Sequence, residues 1–214
     1  MKKIILLLAA SVFCFQIAGF SQARVGLAGG VSIANMKDKV DGDSKVGVMT
    51  SLVLDVPLCK SKNWTFHPSL AYVQKGLTEP HPPGTLIDKQ YVALRYMELT
   101  ADVLYHIHGS GGSFFLGAGP SIDFNLPSKR VSITEGDKVI TDILFGKTPE
   151  NDFKGIDYGA DFRVGYAMNS GFFLSLNYNK GLRNLVPDGL TGSIKNQYIG
   201  IQLGVFLNNG KKSK

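Results

Sequence analysis

Cysteine is nearly absent. The 214 residues include two, Cys14 and Cys59. Cys14 lies in the N-terminal stretch Met1–Ser21, which reads as a secretory signal. Lys2 and Lys3 are its charged start, Ile4 to Ile17 its apolar body, and Gly19-Phe20-Ser21 supplies small residues at the cleavage offsets. The mature chain, expected to begin at Gln22, then keeps Cys59 alone, which excludes an intrachain disulfide. Apart from residues 4–17, which are too few to cross a bilayer as a helix, the chain has no long apolar run. Basic residues form no block except the tail Lys211, Lys212 and Lys214, and no basic stripe interleaved with aromatics occurs, so nucleic acid is not an expected partner. Removing Lys2 and Lys3 leaves 21 basic against 17 acidic residues, a mild net charge of +4. The chain also lacks CxxC, HExxH and Walker-type motifs and any Ser/His/Asp spacing. No catalytic residue, metal or cofactor is therefore indicated.

Glycine is plentiful, at 25 residues, and much of it falls inside strand-like patterns rather than between them. The clearest is GIDYGADFRVGYAM, residues 155–168. Ile156, Tyr158, Ala160, Phe162, Val164, Tyr166 and Met168 alternate with Asp157, Gly159, Asp161, Arg163, Gly165 and Ala167. A strand sends successive side chains to opposite faces, so this segment has one apolar face and one charged or small face. A helix would scatter both sets. Mean hydropathy is +0.05, which rules out a helical membrane protein. It is compatible with a membrane barrel, whose polar interior offsets its lipid-facing side chains.

Seven further segments alternate in the same way: 24–34, 46–56, 64–75, 90–106, 113–125, 172–180 and 196–207. Pro68 is out of place in a central soluble strand. Short connections follow the second, fourth and sixth strands, and long ones follow the first, third, fifth and seventh. In the longest, 126–152, the segments 130–134 and 138–142 flank Glu135-Gly136-Asp137 and suggest a hairpin standing above the sheet. Eight strands with alternating short and long connections indicate an all-β, eight-stranded antiparallel up-and-down transmembrane barrel over residues 22–207, followed by a polar basic tail, 208–214. An even strand count and a secreted N-terminus place both termini in the periplasm. Aromatic residues near strand ends (Trp64, Phe66, Tyr91, Tyr105, Phe172, Tyr178) fit interfacial girdles. The rival is a soluble lipocalin-like cup, which would turn the apolar faces inward.

An eight-stranded barrel has an interior filled by side chains. Lys75, Glu98, Asp102, Asp123, Asp157, Asp161 and Arg163 are expected there as a charge network, with structural pairing as the plain reading and a proton or ion path as the sharper one. Asp55, His67, Asp102 and His106 are expected to meet at the periplasmic mouth. The plain reading is a satisfied polar plug, and the sharper one is a metal or acid–base site.

The stretches VGLAGGVSIAN, FHPSLAYVQKG, LRYMELTADVLY, FLGAGPSIDF, GIDYGADFRVGY, LSLNYNKGLRNL and YIGIQLGVFL resemble the PorT-like outer-membrane β-barrel family over essentially the whole mature chain. The sequence departs from that family at Leu99-Thr100, where an Ile-Pro pair is usual, and in continuing past Leu207 into NNGKKSK. The resemblance implies an outer-membrane barrel, and one branch of the family assists a secretion system for cell-surface proteins. The expected function is a structural or interaction role in the envelope, as a monomer, without enzymatic activity or a cofactor. Its expected partners are outer-membrane lipid and an envelope or secretion-system protein. The alternatives are a lipid-modifying barrel enzyme and a narrow channel.

Overall fold

In the computed structural model, the described residues are 23–37, 42–80, 82 and 85–207. The expected signal segment and basic tail lie outside them. Nine strands follow in order: β1 Arg24–Lys37, β2 Asp43–Pro57, β3 Trp64–Pro80, β4 Lys89–His108, β5 Gly112–Thr134, β6 Asp137–Asp142, β7 Ile156–Met168, β8 Phe172–Gly181 and β9 Lys195–Phe206. Eight of them close into an antiparallel ring in the order β1, β2, β3, β4, β5, β7, β8, β9, with β9 returning to β1. Gly26 pairs with Phe206 and Lys37 with Lys195 across that seam. Closure pairs every ring strand on both sides. That is a condition for crossing a bilayer, where an unpaired sheet edge has no water to bond.

The two faces of the ring settle the choice between membrane barrel and soluble cup. Leu203 is 68% exposed, Phe162 51% and Leu174 44%, whereas Asp102, Asp157 and Asp161 are 0% exposed. The apolar faces point out and the charged faces point in, as in a transmembrane barrel and opposite to a soluble cup.

The interior is layered. At the end where β1 begins and β9 ends (the terminal end), with the turns 109–111 and 169–171, Val53, Leu104, Phe115, Ala167, Phe173 and Phe206 pack together. The Phe173 and Phe206 rings are 4.8 Å apart. At the opposite end a second apolar cluster holds Met36, Leu77, Val92, Leu94, Tyr96, Ile143, Phe153 and Leu185. The connection after β6 folds Ile143 and Phe153 back over this mouth, and Leu185 joins them from the connection after β8. Between the two clusters, polar side chains share the interior with a third apolar group on β1, β2, β3 and β9, Ala34, Met49, Ala71, Val73 and Tyr198.

Three local features differ from simple alternation. The β2–β3 ladder runs through Val53↔Ser69 and Val56↔Phe66 but is broken between them, opposite Pro68, which has no N–H to donate. The expected hairpin exists, but its first arm is no separate element. β5 runs unbroken to Thr134, β4 accompanies it up to Lys89↔Ile133, and β6 adds to the far side. A register shift between Ala93 and Arg95 absorbs the bend, with the Arg95 N–H donating to Ser128 Oγ at 2.9 Å. The tip is a two-residue turn with positive φ at both Glu135 (50°) and Gly136 (89°), the geometry that suits the twist of a hairpin. The result is a three-stranded ledge rising from the ring.

Glycine is required where aromatic rings lie on the inner wall. A Cβ on Gly204 would stand 2.2 Å from Phe173 Cζ, whereas one on Gly29 would meet nothing within 4 Å. Gly204→Ala is expected to cost about 1–3 kcal/mol through overpacking and to lower the fraction of protein that keeps fast mobility in unheated gels. Gly29→Ala is expected to leave both unchanged. Equal behaviour of the two variants would refute this packing account.

Candidate functional site

The polar middle of the barrel is built from cross-strand register. Glu98 of β4 lies opposite Asp123 of β5, and Asp123 lies opposite Asp157 of β7. Three carboxylates thus stand in one row, an arrangement that repels unless a cation intervenes. Lys75 of β3 is that cation. Its Nζ donates to Glu98 Oε2 at 3.0 Å and to Asp123 Oδ2 at 2.8 Å, and it sits 4.8 Å from the centre of the Tyr198 ring. Nearer the termini, Arg163 of β7 donates from Nε to Asp102 Oδ2 at 2.8 Å and from Nη2 to Asp161 Oδ2 at 3.2 Å.

Two uncharged residues join these centres. The Tyr198 hydroxyl donates to Glu98 Oε1 at 2.5 Å. Asn177 Nδ2 reaches both Asp161 Oδ1, at 2.9 Å, and the Tyr198 hydroxyl, at 3.1 Å. Asp123, Lys75, Glu98, Tyr198, Asn177, Asp161, Arg163 and Asp102 therefore form one continuous chain of contacts. Asp157 stands beside it, bonded by Asn196 Nδ2 at 3.2 Å. All these groups are buried. They tie together β3, β4, β5, β7, β8 and β9, a geometry suited to holding the ring's cross-section fixed.

At the mouth near the termini, Asp55 is the centre. Arg24 donates to its Oδ2 from Nη2, and from Nε at 3.1 Å. His67 Nδ1 and His106 Nε2 stand 3.7 and 3.8 Å from Oδ1. Of the four residues expected here, Asp55, His67 and His106 come together. Asp102 does not join them: it is opposite His67 in register, but its carboxylate is turned to Arg163. His106 Nε2 is instead 3.0 Å from Thr65 Oγ1, and Nδ1 is 3.4 Å from Ser113 Oγ. An Asp55–His106–Ser113 relay would need a bonded acid and an accessible hydroxyl. The acid is beyond hydrogen-bond reach, and Ser113 is buried. No group of three metal-ligating side chains with suitable geometry occurs among the described residues.

Sequence reasoning overlooked Arg24, Thr65, Asn177, Asn196 and Tyr198. Arg24 faces Asp55 through the β1–β2 register, and Tyr198 meets Glu98 across the lumen. Alternation marks such residues as inward-facing, but only the register and the diameter of the ring show what they touch.

Removing Lys75 leaves Glu98 and Asp123 buried against each other. Lys75→Met is expected to destabilise the barrel by about 3–5 kcal/mol, the usual cost of breaking a buried ion pair from one side. Lys75→Met/Glu98→Gln/Asp123→Asn should recover most of that loss. Urea unfolding in detergent micelles, followed through Trp64 fluorescence and unheated gel mobility, reads both. A triple variant as unstable as the single one would contradict the pairing.

No curated protein matches the chain in sequence. Among solved structures, Neisserial surface protein A is 11% identical, with 86% of this chain and 97% of that one covered and a TM-score of 0.44. Ail, the attachment invasion locus protein of Yersinia pestis, is 12% identical, with 86% and 98% covered and a TM-score of 0.43. The N-terminal β-barrel domain of Pseudomonas aeruginosa OprF is 10% identical, with 86% and 96% covered and a TM-score of 0.38. Likenesses this distant carry no information about activity. The family model for the outer membrane protein beta-barrel domain matches residues 16–186, and the chain belongs to that family.

Proposed function

We propose that this protein is a monomeric, non-enzymatic outer-membrane barrel, without a cofactor, that serves the envelope as a structural or interaction component, both termini lying in the periplasm. The observation that carries this reading is the filled interior. Two apolar clusters close the ends, and an interlocked polar network and a third apolar cluster occupy the space between them. Such an interior favours work done at the surfaces over transport through the lumen, and so weighs against the channel alternative.

The ledge of β4, β5 and β6 is the surface best suited to that work. All six residues of β6 are exposed, Val139 by 57% and Ile140 by 52%, and its outer edge bonds to no other strand among the described residues. An unpaired strand edge held clear of the membrane can accept a partner's backbone. The resemblance to the PorT-like family makes an accessory role in protein secretion the finer reading, with an envelope or secretion-system protein as the partner.

A photo-crosslinking residue at Val139 is expected to capture one stoichiometric envelope protein in living cells, while one at Leu203, on the apolar belt, captures none. Lipid alone at both positions would overturn the interaction reading.

Orientation has a built-in probe, because Cys59 lies exposed in the connection after β2, on the same end as the termini. A membrane-impermeant maleimide should leave Cys59 unmodified in intact cells and label it after the outer membrane is opened. A cysteine at Lys138 should be labelled in both. The reverse pattern would invert the barrel.

A further inference from the structure

The charges on the outward faces of the ring strands are predominantly basic. By alternation with their exposed apolar neighbours, Lys37, Lys89, Arg95, Lys129, Lys180 and Lys195 point outward, and among the described ring residues one acidic side chain, Asp43, shares that face through its pairing with Thr78 and, beyond it, Tyr91. All six lie toward the rim opposite the termini. A lipid-facing charge is costly unless it reaches the interface or meets a counter-charge.

Three of these residues break a local rule. Lys37 and Lys195 stand directly opposite each other across the β1–β9 seam, where like charges repel. Lys180 pairs with Gln197 of β9, which makes it a diagonal neighbour of Lys195 on the same face, about 7–8 Å away. Ion pairs among the described residues employ Arg24, Lys75, Arg130, Lys154, Arg163 and two histidines, and none of these three lysines. A local conflict without a remedy among the described residues is a mark of a working surface.

Below Lys180, and beside the seam that carries the other two lysines, the belt is indented. A groove of about 550 Å3 is lined by Leu116, Ala118, Phe162, Leu176, Tyr178 and Ile199. Its upper wall, Phe162 and Tyr178, stacks with ring centres 6.5 Å apart. In the next row up, Lys180 faces Ala160, which is small, and Pro120 lies beyond it. Apolar groove, aromatic pair and Lys180 thus follow one another from the middle of the belt to its rim, with Lys195 and Lys37 on the two strands beyond. That is the order of acyl chain, interface and phosphate in a lipid.

We propose that Lys37, Lys180 and Lys195, with the groove beneath Lys180, form a binding site for a phosphate-bearing lipid of the leaflet at this rim. Lysine ammonium groups serve phosphate as point charges, and three of them converging from three strands suit a headgroup with more than one phosphate. The groove takes one acyl chain, and the Tyr178 ring lies between chain and headgroup. This inference rests on the membrane placement and orientation proposed above.

The test uses the full chain in neutral detergent micelles, with lipid binding read by native mass spectrometry. The probes are lipid A carrying two phosphates, phosphatidylethanolamine and inorganic phosphate. The expected result is selective retention of lipid A, reduced tenfold or more in Lys37→Gln/Lys180→Gln/Lys195→Gln. Ala118→Phe, which fills the groove from the lipid side, should weaken lipid A binding while all variants keep native heat-modifiable mobility. Equal lipid A binding by the triple glutamine variant, or equal retention of phosphatidylethanolamine, would overturn the proposal. So would competition by inorganic phosphate at the same concentration as lipid A, since the groove would then contribute nothing. Maleimide labelling of Cys59 in intact cells would overturn the orientation instead, and would leave the micelle result standing.

Discussion

The volume enclosed by eight strands governs this structure. A ring of that size has room for side chains and little else. Every inward position is therefore a packing decision, and the chain alternates large and very small residues to meet it. Phe173 lies on Gly204, Phe115 on Gly165, and Asn177 on Gly200. The glycine-rich composition follows from this constraint more than from any need for turns. The same confinement forces the charges together: Lys75 and Arg163 face Glu98, Asp102, Asp123, Asp157 and Asp161 at close range, and hydrogen-bonding amides and phenols make up what two cations cannot supply.

Such a network is poor evidence for stability in itself, because burying charges is costly. Its value is in specificity. A strand that slipped by one residue would turn its charges into lipid and its apolar side chains into the lumen. Carboxylates on three neighbouring strands that need one lysine on a fourth tolerate no such slip. The interior charges thus fix the register of the ring, while the two apolar clusters close its ends.

Much of this was legible in the sequence, because alternation with a period of two reports face directly. Residues 155–168 announce both faces of β7, and the seven interior charges are inward in the structure as alternation requires. Partners were harder to read. Asp102 and His67 are neighbours in register, yet Asp102 belongs to Arg163, since a guanidinium from β7 competes better for a buried carboxylate than a histidine does. The sequence suggests a hairpin set apart within the connection 126–152, because alternation lapses after Asn125 and resumes only around Glu135-Gly136-Asp137. In the folded chain Ser128 completes a bulge that lets β5 run on. Bulges and cross-lumen contacts depend on the ring's curvature, which leaves no periodic trace.

The β1–β9 seam has a consequence for the order of assembly. It joins the first strand of the chain to the last, so its contacts span almost the greatest sequence separation available, and loop-closure entropy opposes them more than any others. All other ring pairs can form while the chain is still an open sheet. The seam cannot form until β9 has arrived, so sealing is the final event, and a chain lacking β9 would present two raw edges to the bilayer. Lys37 and Lys195 become neighbours only at that moment. Whatever holds them together holds the two ends of the sheet together, and acts as a latch on the finished ring.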